Sequence, residues 1–227
     1  MTQKYKMEYK PKIKICCIKN IEEAELAIKY GADAIGLVSE MPSGPGVISE
    51  SEIKFIASNV PENIKTFLLT SKQSSREIIE QLIRCKTNTV QIVDKLLIGT
   101  YAEIKTALPN VDIVQVIHVS NGDSVKEAIE VSKNVNGLLL DSGNPNAKTK
   151  TLGGTGKTHN WKLSREICRN VEVPVYLAGG INPDNVANAI KSVQPTGIDL
   201  CSGVRTKGNL DETKLAAFFD NVNFVNI

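Results

Sequence analysis

Gly137-Leu138-Leu139-Leu140-Asp141 is an apolar run that stops on a carboxylate, and a glycine-dense stretch, Leu152-Gly153-Gly154-Thr155-Gly156-Lys157-Thr158, follows soon after. Three leucines in a row leave no polar face. The run therefore reads as a strand buried on both sides, the pattern of a parallel sheet covered by helices. An acid where such a strand ends costs desolvation energy unless it is hydrogen-bonded or functional, so Asp141 either caps the following turn or belongs to a site.

Similar runs recur on both sides of this one. Ile13-Lys14-Ile15-Cys16-Cys17-Ile18 reads as a strand, and Asn20 with Glu22 and Glu23 behind it opens a helix that stops at Gly31. Further strands are predicted near Ala34 to Val38, Lys65 to Leu69, Thr89 to Val93, Asp112 to Ile117, Val135 to Leu140, Val173 to Ala178 and Gly197 to Cys201. Helical spacing falls between them near Glu50 to Ser58, Ser74 to Cys85, Gly99 to Leu108, Ser124 to Lys133, Trp161 to Asn170 and Pro183 to Ser192, with a last helix near Glu212 to Phe219. Eight alternating units fit one closed (β/α)₈ barrel, with an open doubly wound sheet as the runner-up. No linker interrupts the pattern, so residues 1–227 are expected to form a single barrel domain with a polar amino-terminal extension at 1–11.

The 227 residues are 41% hydrophobic and 23% charged, enough for a substantial core. A net charge of +2, with basic residues spread along the chain, gives no reason to expect a nucleic-acid partner. Neither a signal peptide nor a membrane span is indicated, and the five cysteines, odd in number and irregularly spaced, read as thiols of a reducing cytosol. Cys16 and Cys17 are adjacent, not spaced as zinc ligands, and His118 and His159 are far from them, so no metal is expected.

In a barrel, chemistry belongs at the carboxyl ends of the strands. That rule selects Cys16 and Cys17, Ser39, Asp94, Asp141, Gly179-Gly180 and Ser202-Gly203. Ala178-Gly179-Gly180-Ile181-Asn182-Pro183 puts two glycines between a strand and a helix, leaving N–H groups bare at a positive helix end. Cys201-Ser202-Gly203-Val204 repeats the arrangement after the eighth strand, where barrels commonly hold a phosphate, so a phosphorylated substrate is favoured. Lys157-Thr158 lacks the glycine spacing of a nucleotide loop, and His118 is the only histidine near a strand end, which disfavours a metal-dependent epimerase.

Lys14-Ile15-Cys16, Gly31-Ala32-Asp33-Ala34-Ile35-Gly36, Leu139-Leu140-Asp141 with Gly153 to Thr158 and Trp161, Leu177-Ala178-Gly179-Gly180, and Gly197-Ile198-Asp199 through Ser202-Gly203-Val204 together resemble phosphoribosylanthranilate isomerase of tryptophan biosynthesis. The resemblance implies a ribulose-phosphate-binding TIM barrel and an Amadori rearrangement that needs no cofactor. It makes Asp141 the general acid, Cys16 the general base, and Gly154, Gly179, Gly180, Ser202 and Gly203 the phosphate site. The implied partner is a small phosphorylated sugar, and the enzyme a monomer or homodimer. A thiolate base needs a nearby cation or helix amino terminus. Lys14 is not expected to be that cation, because it lies below Cys16 on the same face of the strand. Cys17, by alternation, should face the helices.

Four positions depart from the family pattern. Cys17 replaces a glycine, Pro45 in Ser43-Gly44-Pro45-Gly46-Val47 stands where an arginine holds the anthranilate carboxylate, Gln91-Ile92-Val93-Asp94 replaces a glutamine-leucine-histidine-glycine segment, and Arg205 replaces a glutamate. Arg205 is therefore the candidate for an aglycone contact. The departures leave two alternatives: a paralogous enzyme for another phosphorylated sugar adduct, or a barrel that binds a sugar phosphate without catalysis.

Overall fold

A computed structural model of the chain describes residues 10–42, 44–143, 158–223 and 225. Eight parallel strands close in sequence order into one barrel: β1 Lys12–Ile15, β2 Ala34–Val38, β3 Lys65–Thr70, β4 Thr89–Ile92, β5 Asp112–His118, β6 Gly137–Asp141, β7 Val175–Leu177 and β8 Gly197–Leu200. β1 pairs with β8 as well as β2, which removes the open edges that a doubly wound sheet would leave. The helices are α1 Ile21–Tyr30, α2 Glu50–Asn59, α3 Ser75–Cys85, α4 Tyr101–Ala107, α5 Gly122–Ser132, α6 Trp161–Asn170, α7 Val186–Val193 and α8 Glu212–Asn223. The α1 boundaries show the local chemistry: the Asn20 side chain accepts from the Glu23 N–H at 2.9 Å, and Gly31 ends the helix at φ 108°, a left-handed conformation that suits glycine.

Strand alternation divides the apolar residues into two cores. Ile13, Ile15, Ile35, Leu37, Leu68, Ile92, Ile117, Leu138, Leu140 and Ile198 point outward and pack under the helices. Ala34, Val38, Phe67, Leu69, Val114, Val116, Leu139 and Ala178 fill the barrel interior, together with Cys16 and Cys17. Polar residues share that interior: Lys14, Asp141 and Asp199 are all buried.

Two differences from the expected pattern bear on the site. β1 stops at Ile15, three residues earlier than expected, because Cys17 takes φ 62° and turns the chain off the sheet. After β8 a 3₁₀ turn, Ser202–Val204, leads into an antiparallel pair, β9 Arg205–Thr206 and β10 Asn209–Leu210, which the sequence reading did not anticipate. Among the described residues no helix is long and apolar enough to cross a membrane.

Candidate active site

Asp141 is the last residue of β6, and strand alternation turns its side chain into the barrel, where 8% of the residue remains exposed. One carboxylate oxygen accepts the Ser142 N–H at 2.7 Å. Burial pushes its pKa up, and the charge of Asp199 adds to this, while the Ser142 N–H and His118 oppose. His118 pairs in register with Asp141 on the neighbouring strand and has its Nε2 3.1 Å from the Val93 carbonyl. It lines a cavity of about 480 Å³ with Val93, Asp94, Asn121, Ser142 and Gly143, so it does face a pocket.

The double glycine after β7 lies beside this acid. Gly179 and Gly180 have φ of 81° and 65°, values that strain any other residue. A Cβ on Gly179 would stand 3.0 Å from His159 Nδ1, 3.1 Å from Ser142 Oγ and 3.2 Å from an Asp141 carboxylate oxygen. The glycine is thus what lets these three groups and the loop share one wall. The sequence reading weighed His159 only as a zinc ligand and not as part of this site. Its Nε2 is 2.7 Å from Ser164 Oγ, and burial pulls its pKa down to about 4, so the ring is neutral near pH 7. Its position next to the helix-capping Asn160 was the available signal, but that signal marks a helix start and no ligand.

The turn after β7 also corrects one expectation. Helix α7 begins at Val186, and the Asn182 side chain accepts from the N–H groups of Asp184 and Asn185 at 2.9 and 3.1 Å. Those donors are occupied by an Asx turn and are not bare for an anion. Gly203 packs so closely on the loop after β7 that a Cβ would overlap the Ile181 carbonyl and come 2.9 Å from Asn182 Cα. Gly203 is therefore brought against the loop that carries Gly179 and Gly180, with Ser202 exposed beside it. Gly154 and the rest of the 144–157 segment lie outside the described residues.

On the opposite side, Cys16 follows β1 and is held by its N–H on the Leu200 carbonyl at 2.8 Å. Lys14 reaches it after all. The side chain is fully buried, its ammonium is 2.6 Å from an Asp199 oxygen, and a Cβ on Gly36 would meet Cys16 Sγ at 2.7 Å and Lys14 Nζ at 3.0 Å. A lysine is long enough to climb the one-residue-pair rise that separates their Cα atoms. Burial alone would lower the Lys14 pKa, but Asp199, followed by Cys16, raises it overall, so it stays an ammonium.

Cys17 does not face the helices. Its left-handed backbone folds it into the interior, against Gly46 of the β2–α2 loop, where its thiol neighbours those of Cys16 and Cys201. Those thiol contacts push the Cys17 pKa well up, while the Cys17 thiol pulls that of Cys201 down.

Arg205 does not fit the role of aglycone contact. Its guanidinium is buried, donating to Glu23 at 2.8 and 3.0 Å and to the Cys16, Cys17 and Gly208 carbonyls at 3.3, 2.6 and 3.2 Å. Burial raises the Glu23 pKa, but the Arg205 hydrogen bond and charge more than reverse this. Arg205 braces the β1 turn from behind, and Pro45 is exposed. Among the described residues no group of three or more His, Cys, Asp or Glu is placed to hold a metal ion.

The sequence profile described as N-(5'phosphoribosyl)anthranilate (PRA) isomerase matches residues 13–221. The N-(5'-phosphoribosyl)anthranilate isomerase of Methanosarcina acetivorans is 34% identical, with 98% of this chain and 97% of the relative covered. That of Nostoc punctiforme is 31% identical over 93% of this chain and 98% of its own. The crystal structure of phosphoribosyl anthranilate isomerase from Thermotoga maritima superposes with a TM-score of 0.78 at 26% identity, covering 94% of this chain and 98% of that one. With the closed barrel, the strand-end acid and the paired glycine loops already in place, these matches show that the chain belongs to the N-(5'-phosphoribosyl)anthranilate isomerase family.

Proposed function

We propose that Asp141 and Cys16 are the acid and the base with which this isomerase of tryptophan biosynthesis converts N-(5'-phosphoribosyl)anthranilate to 1-(2-carboxyphenylamino)-1-deoxyribulose 5-phosphate. The observation that carries the reading is the carboxyl group of Asp141, desolvated at the end of β6 and sharing the wall of Gly179 with the loops suited to phosphate. A carboxyl whose protonated form is favoured by burial can donate to the ribose ring oxygen. The C1–O bond then breaks and the anthranilate nitrogen lone pair forms the iminium. Cys16, as thiolate, removes the C2 proton, and the electrons of that C–H bond move toward C1 and neutralise the nitrogen. The resulting enolamine takes a proton at C1 and loses one from its 2-hydroxyl to give the ketone. No electrons leave the substrate, so no redox partner is needed.

The phosphate rests, in this reading, on the backbone of Gly179, Gly180, Ser202 and Gly203, with Gly154 closing from the β6 loop. The enzyme works in the cytosol as a monomer or homodimer. The decisive experiment follows the loss of phosphoribosylanthranilate fluorescence with wild type, Cys16→Ala and Asp141→Asn. Turnover by wild type that each substitution lowers by roughly 10²-fold or more supports the pair. A folded Cys16→Ala variant with near-wild-type kcat rules out the base.

A further inference from the structure

We propose that Lys14 is a positioning residue for Cys16: an ammonium anchored by Asp199 inside the barrel stands beside the sulfur and holds it as the charged base. The inference rests on the reading of Cys16 as base and adds to it the source of the charge.

Three observations converge on this. Lys14 is fully buried, and among the described residues its one hydrogen bond is to Asp199, at 2.6 Å. An ammonium has three donors, so this leaves it others. It also lies 5.0 Å from the centre of the Phe67 ring, which fixes the side chain from β3. On the remaining side is Gly36 of β2, where Lys14 Nζ and Cys16 Sγ both lie within 3.0 Å of the point a Cβ would take. A side chain at position 36 would wedge the two apart. Gly36 has no positive φ to explain it, so the close approach is its structural reason.

A buried ion pair is poor evidence for stability, since a well-packed apolar pair of similar volume commonly does as well or better. Here the pair does something an apolar pair cannot, which is to bring a fixed positive charge under the mouth of the barrel. The titratable and charged groups around the sulfur are Lys14 and Cys17 from β1 and its turn, Asp199, Cys201 and Arg205 from β8 and the segment after it, and Asp141 from β6. Arg205 directs its terminal NH groups at backbone carbonyls and Glu23 and lends its charge to the Cys201 and Cys17 thiols, and Asp141 and Asp199 are acids. Among these groups, Lys14 is the cation whose charge acts on the Cys16 thiol.

The test compares wild type with Lys14→Met/Asp199→Asn, which removes both charges and strands neither, and with Gly36→Ala, which keeps both and separates them. For each, kcat and KM are measured from pH 6 to 10, together with the rate of Cys16 alkylation by iodoacetamide. The double variant is expected to lose roughly tenfold or more in kcat at pH 7, to recover as pH rises and the thiol ionises unaided, and to keep KM within about threefold. Its alkylation profile moves to higher pH in parallel, and Gly36→Ala moves it the same way by a smaller amount. Unchanged pH profiles in the variants, with Cys16→Ala inactive, would overturn the role of Lys14 and leave the base intact. An active Cys16→Ala would instead remove the base on which the inference stands. Should the double variant not fold, the Gly36→Ala profile decides alone: a shift supports the role and no shift overturns it.

Discussion

Asp141 and Asp199 are two aspartates of one barrel interior, exposed to 8% and 7%, yet they are treated differently by their neighbours. At β8 the Asp199 carboxylate meets the Lys14 ammonium at 2.6 Å, and the negative charge is matched by a positive one. At β6 the Asp141 carboxyl has the Ser142 N–H and a half-buried His118, and its pKa is driven up. The same side chain at the same depth is thus held as an anion by an ammonium in one place and has its protonated form favoured by burial in the other. What differs is whether a cation shares the pocket, which decides whether burial is answered by an ion or by a proton.

The contrast breaks most sharply at Asp141. Asp141→Asn is expected to lower kcat by roughly 10²- to 10⁴-fold while leaving binding of a reduced product analogue nearly intact, as fluorescence turnover and calorimetry would show. The same change should raise Tm near pH 7.5. A folded-state pKa raised above the unfolded value means the native state binds the extra proton, so stability falls as pH rises through the window between them. The amide never charges, and its advantage should fade below about pH 4, where the unfolded aspartate is itself protonated.

Lys14→Met alone makes Asp199 resemble Asp141 without its surroundings, leaving a buried carboxylate with no cation. Denaturant titration should show a loss of about 3–5 kcal/mol, most of it restored by adding Asp199→Asn. A single variant as stable as wild type would show that the pair is not the anchor described. Arg205→Ala should cost about 1.5–3 kcal/mol by releasing the Cys16 and Cys17 carbonyls and Glu23. It should lower kcat without changing the preference for product analogues with the anthranilate carboxylate over those without it. A selective loss for the carboxylated analogue would return Arg205 to the aglycone. The smallest effect is expected at Gly179→Ala, where φ 81° and the approach to His159 and Asp141 predict a cost of about 1–2 kcal/mol and a raised KM.

Most of the fold was legible, and the reasons are local. Runs such as Leu138-Leu139-Leu140 have no polar face, and caps such as Asn20 and Gly31 mark helix ends within a few residues. The candidate acid and base were legible as residue types at strand ends. Their surroundings were not: Lys14 was placed too deep, Cys17 on the wrong face, the Asn182 turn as open donors, and Arg205 toward the substrate, while His159 was weighed only as a metal ligand. The errors at Lys14 and Cys17 follow from reasoning in steps of strand rise and alternation, which locates a Cα but not the far end of a long side chain or a residue with φ 62°, and the Asn182 turn was misplaced because residue type does not show where a side-chain oxygen folds back.

The sequence by itself determined the alternation of eight buried strands with capped helices and the residue types at the strands' carboxyl ends, while closure into a barrel instead of an open sheet came from the pairing of β1 with β8. Only the tertiary structure decided which of those groups meet. Periodicity is a property of neighbours along the chain, whereas Lys14 finds Asp199 across 185 positions and Arg205 finds Glu23 across 182, contacts set by barrel closure and interior packing.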